Sequence, residues 1–215
     1  MDNNITAALQ SFLSYHMNTV YTAIPCEIVQ VDSTVEARVS VRPLINLVDR
    51  LSDETSVRPT ILGVPVQMPG SSTSLVNIPL NQGDSVLCVF SMRGLDAFKA
   101  GDGKPAAPTD FRMFDKRDAI AIPGIFPFEM HPNLKRVLPF NPDALSLTQD
   151  IGLPTESIVE LSDAGIALKQ GATSVVVSTA GVEITGLLTI NGVPFPLHTH
   201  TGVTTGGGLS GPVSI

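Results

Sequence analysis

The sequence predicts an all-β protein. It reads as an OB-type barrel behind an N-terminal helix, followed by an intertwined trimeric β-helix that ends in a metal-bound apex. Three observations carry this reading. Glycine (18 of 215 residues) and proline (17) are abundant, tryptophan is absent and aromatic residues make up 5%, which suits short strands and turns rather than a helical bundle. A ten-residue pattern, VELSDAGIAL at 159–168, is echoed by VVVSTAGVEI at 175–184, and internal repeats with a turn glycine mark stacked β architecture. Near the end stands a histidine pair, PFPLHTHTGVTTGGGLSGPV at 194–213.

Composition excludes several functions. A net charge of −7 and a pI near 4.9 argue against nucleic acid, because phosphate binding needs clustered Lys and Arg. No run of about 18 apolar residues offers a membrane span. The opening MDNNITAALQ is acidic and polar where a signal peptide is basic and then apolar, so assembly in a host cytoplasm is expected. Cys26 and Cys88 lie in apolar strand-like runs and read as buried free thiols.

Residues 1–24 form the helical segment. Ile5, Leu9, Phe12, Leu13 and Val20 fall near helical spacing, with Asn3 or Asn4 as cap and Pro25 beyond the end. The stripe is open to packing on its own domain or on a neighbouring subunit. Residues 25–130 then read as the barrel. CEIVQVDSTVEARVSV alternates about a DS turn, and TILGVPVQMP, LVNIPL and SVLCVFS follow, separated by PGSST and NQGD. Short strands punctuated by Gly or Pro favour a five-stranded OB-type barrel. Residues 131–155, with Pro132, Pro139, Pro142 and Pro154, read as a linker or strap.

Residues 156–193 form the shaft. Period-2 alternation turns Val159, Leu161, Ile166, Leu168, Val175, Val177, Val182, Ile184, Leu188 and Ile190 inward, and Glu160, Ser162, Lys169 and Glu183 outward. So short a ribbon cannot bury a core alone and would leave strand edges open. Three copies wound about a shared axis solve both problems, and slim aliphatics fit that axis. A homotrimer is therefore expected.

Residues 194–215 form the apex. In extended chain, residues i and i+2 share a side, so His198 and His200 present their imidazoles together. Two nitrogens make a poor metal site, but three copies supply six, enough for an octahedral first-row divalent ion; iron, nickel and zinc all suit. Pro194 and Pro196 stiffen the approach, and Gly206, Gly207 and Gly208 let three chains turn back in a crowded tip. With every coordination position filled by protein, the metal would be a structural pin. His16 and His131 have no recognisable ligand partner in the sequence.

Two stretches resemble a known family. Residues 64–124 hold VPVQMPG, then LVNIPLNQGDSVLCVFSMRGLDAFKAG, then RDAIAIPGIFP running just past that end. The second stretch is PLHTHTGVTTGGGLSGPV. Both are similar to the central spike, or membrane-piercing, proteins at the baseplate of contractile-tailed bacteriophages. The resemblance implies an OB collar attached to a baseplate hub protein, a triple-stranded β-helix shaft, and a tip in which His198 and His200 of three chains hold one iron. It further implies a virion component that tail contraction drives through the host outer membrane. The shaft here is short, and the 131–155 strap has no counterpart in the family pattern.

Two other functional classes fit the sequence less well. A metalloenzyme built on the HxH pair needs further ligands and a vacant position; only two other histidines exist, and the nearest carboxylate is Glu183. The sequence also lacks GxSxG, a phosphate loop and a Cys–His arrangement, so no enzyme is expected. A trimeric OB and stalk module that binds glycan or protein lacks the aromatics that stack on sugars.

Overall fold

A computed structural model of the chain describes residues 2–48, 53–127 and 141–195. Apart from two helices and a 3-10 turn, its regular structure is β. It divides into two compact units, Met1–Val137 and Leu138–Ile215.

The first unit opens with α1 (Asp2–Thr19). No Gly or Pro interrupts this stretch, so the helix runs unbroken until it meets the strand leading to Pro25. It starts at Asp2, which places Asn3 and Asn4 inside the first turn rather than at a cap. The strands that follow are β1 (Ala23–Ser33), β2 (Arg38–Pro43), the small hairpin β3 (Leu47–Val48) and β4 (Thr55–Ser56), β5 (Ile61–Pro65), β6 (Ser85–Phe90) and β7 (Ala119–Pro123). Five of them form an antiparallel sheet in the order β5-β2-β1-β6-β7. Register shifts between Ile28 and Gln30 and between Val31 and Ser33 bend β1 against β2, and such bulges increase twist. The sheet curls until its edges meet through a parallel bridge, Val66 to Ala121, where the Gln67 N–H donates to the Ala121 carbonyl at 2.9 Å.

Alternation decides what lies inside. Ile24, Cys26 and Ile28 of β1 are buried with Val39, Val41, Ile61, Val64, Val86, Cys88, Phe90, Ala119 and Ala121. Tyr21 rests its ring on Phe90 with centroids 5.1 Å apart. Cys26 and Cys88 are free and buried, as expected; a hydrogen bond to Cys26, together with burial, pushes the Cys88 thiol up.

The LVNIPL stretch corrects an expectation. Residues 75–80 form no strand: Leu75 makes one bridge to Gly70, and the Val76 N–H donates to the Pro69 carbonyl. Leu75, Val76 and Ile78 are exposed and Pro79 has no N–H to donate. A run with strand-like composition but no neighbouring strand stays a loop.

The second unit is a meander. β8 (Ala144–Gln149), β9 (Ser157–Ser162), β10 (Gly165–Gln170), β11 (Thr173–Ser178) and β12 (Gly181–Thr185) pair antiparallel in chain order. The repeat falls on it in register: its first copy is β9, a two-residue turn and β10, its second β11, a turn and β12. Gly165 and Gly181 close those turns at φ +130° and +134°, backbone that L side chains avoid. A separate hairpin pairs β13 (Thr189–Ile190) with β14 (Val193–Pro194) around Asn191 and Gly192, both at positive φ. Of the strap predicted at 131–155, Ala144–Gln149 is a strand of the sheet, and 131–140 lie outside the described residues. Leu188 and Ile190 also depart from the reading, since the five-stranded sheet ends at Thr185.

Candidate functional site

The meander gathers ten of its aliphatic residues on one face. Register aligns Leu145, Leu161, Ile166, Val177 and Val182 in one cross-strand row. It aligns Leu147, Val159, Leu168, Val175 and Ile184 in the row beside it. The eight positions predicted inward on residues 159–184 all lie here. Leu145 and Leu147 are additions that the sequence reading missed; ALSLTQ alternates, but its signal was hidden by the prolines around it.

Among the described residues of this unit, none covers this face. Nine of its ten residues are exposed, from Val159 at 38% to Leu145 at 70%, and Val175 is half-buried. Ala167 is the one buried hydrophobic residue of this unit among those described. Covering a Val, Leu or Ile is worth about 1.5–3 kcal/mol, so ten exposed together make an extensive apolar face. They carry no acid, base or nucleophile. On the opposite face Glu160, Ala167, Val176 and Glu183 share a row, in which Ala167 is buried, Glu160 half-buried and Glu183 exposed.

The metal ligands read from the sequence, His198 and His200, lie outside the described residues, as do Gly206, Gly207, Gly208, Pro196 and His131. Pro194 ends β14. His16 is exposed on α1, where its ring meets the edge of Phe12 at 4.4 Å. Among the described residues, no cluster of three or more His, Cys, Asp or Glu could hold a metal ion, and no helix is long and apolar enough to cross a membrane.

The first unit has two features of its own, an ion-pair cluster and a mainly apolar cavity. Arg112 ties down the loops between β6 and β7. Its Nε donates to Asp118 at 2.7 Å and its terminal nitrogens to Asp118, Asp110 and Asp96 at 2.8, 2.6 and 2.5 Å. Asp118 is fully buried and also accepts the Leu95 N–H ahead of the short helix α2 (Asp96–Ala100). The Arg112 guanidinium holds the Asp118 carboxyl below the usual aspartate range, against the opposing effect of burial. Elsewhere an open cavity of about 420 Å³ lies between Pro25, Leu44, Ile125, Phe126 and Pro127. Its carboxylate, Glu27, is engaged by Arg42 at 2.8 Å.

Residues 24–124 match a family described as the phage protein Gp138 N-terminal domain. The matched segment runs from the start of β1 to just past β7 and so contains the whole curled sheet. No curated protein matches the chain. The match supports a structural protein of a phage and a component of the virion.

Proposed function

We propose that the chain is the trimeric central spike of a contractile tail baseplate, which pierces the host outer membrane when the tail contracts. The observation that carries this reading is the uncovered face of ten aliphatics on a unit that buries almost nothing itself. Three copies facing a common axis would cover one another's rows and leave Glu160, Lys169 and Glu183 in water. The phage domain match to residues 24–124 supplies the virion context.

In this reading the first unit is an OB collar. Its strand path, β1-β2-β5-β7-β6 and back to β1, supports that assignment, with the Val66–Ala121 bridge as the parallel contact that closes the ring. The collar attaches to a hub protein. His198 and His200 of three copies hold one iron at the tip; six imidazole nitrogens suit a first-row divalent ion, and a site filled by protein is structural. The role is mechanical, not catalytic.

The test is mass by light scattering on untagged protein, with elemental metal analysis, beside a His198→Ala/His200→Ala variant. One iron per trimer, lost in a variant that stays trimeric, is expected. One metal per monomer would sink the shared site. A monomeric wild type would sink the spike.

A further inference from the structure

The N-terminal helix poses its own question. Every described side chain of α1 is exposed, including Ile5 at 72%, Leu9 at 59%, Phe12 at 60% and Leu13 at 54%. Among the described residues, therefore, the stripe packs on no part of its own collar. A helix of this length is marginal in water unless tertiary packing covers its apolar side, and its Asn, Thr, Ser, Phe, Tyr and His residues are mediocre helix formers. Something must cover the stripe.

We propose that the cover is the same helix of the other copies, so that α1 forms a short parallel coiled coil ahead of the collars. Ile5, Leu9, Phe12 and His16 are spaced by four, three and four residues. That is the alternating a/d seam of a coiled coil, narrower than the stripe of a helix laid on a globular surface. Leu13 flanks the seam, and His16, leaning on Phe12, occupies a core position where a polar residue sets register.

Charge points the same way. The whole chain carries −7, yet residues 5–19 contain no Asp, Glu, Lys or Arg. Copies can bring this segment together without repulsion, and it offers no charge for a different partner to complement. The helix is also held where it leaves the sheet. The Tyr21 N–H donates to the Phe114 carbonyl at 2.9 Å, and the Thr22 carbonyl accepts from the Phe90 N–H at 3.0 Å. Collars arranged about one axis thus launch their helices from equivalent points. The number of strands in the coil rests on the trimeric reading; the seam itself does not.

Cysteine cross-linking of the full chain tests this. Leu9→Cys, and Phe12→Cys as a second seam position, are oxidised mildly beside Ser14→Cys on the far side of the helix. The native Cys26 and Cys88 are buried and do not compete. Both seam variants should give disulfide-linked pairs, up to two chains in every three, with Ser14→Cys at background, while light scattering gives the assembly mass. A trimer with no seam cross-link, or with Ser14 linking as well as Leu9, overturns the coil and leaves the spike reading standing. A cross-linked dimer keeps the coil and overturns the three-fold axis. A monomer overturns both.

Discussion

Gly165 and Gly181 occupy equivalent turns but stand in different surroundings. A Cβ on Gly165 would lie 2.0 Å from the Val177 carbonyl oxygen, whereas one on Gly181 meets open space. Both have φ near +130°, so Gly181→Ala should destabilise by about 1–3 kcal/mol from backbone strain. Gly165→Ala should cost clearly more, because the β11 backbone must move as well. Urea unfolding of the two full-length variants checks the order, and equal losses would refute it. Asp118 makes a second prediction. Its folded carboxyl titrates below the ordinary value of 3.8, so its contribution to stability is present above that value and disappears as pH falls through the depressed one. The collar should lose thermal stability on acidification below about pH 4, and Asp118→Asn should flatten that acid limb while costing about 3 kcal/mol near neutrality. The glycines were readable in the sequence as turn formers. The Arg112–Asp118 pairing was not, since ion pairs formed in space leave no periodic trace.

At the level of elements, faces matter more than composition. Leu168 and Lys169 are neighbours on β10 with opposite orientations. Leu168→Asp should dissociate the assembly or prevent it, while Lys169→Asp should leave the mass unchanged by light scattering. Equal behaviour of the two would refute the aliphatic face as the interface. The repeat was legible at 159–184 because alternation and turn glycines coincide there, and register placed all eight predicted residues together. Two segments, 144–149 and 75–80, depart from expectation for one reason. ALSLTQ became a strand and LVNIPL a loop, and the difference lay in whether a partner strand stood alongside. The I-N-G-V turn at 190–193 was readable as a hairpin, and noticing it would have separated β13 and β14 from the shaft ribbon.

At the scale of the whole chain, two units with different sources of stability are joined. The first unit encloses twelve buried apolar residues; the meander, among its described residues, buries Ala167 as its one hydrophobic. Their unfolding should therefore respond differently to concentration. The collar's melting temperature should stay nearly constant on dilution, while the meander's should fall, as it does when folding and association are coupled. Calorimetry over a wide range of protein concentration measures this, and a meander transition that ignores concentration would count against assembly through its face. The sequence by itself determined the β class, the repeat, the turn glycines and the shared face of the eight aliphatics at 159–184, because backbone sterics and period-2 alternation act between near neighbours. Tertiary structure alone decided which runs found partners, how the edges of the first sheet met, which aspartates Arg112 engages, and that the aliphatic face and the helix stripe are exposed among the described residues. Those outcomes depend on residues distant in sequence coming within bonding range, and pairing of that kind is settled by the folded whole.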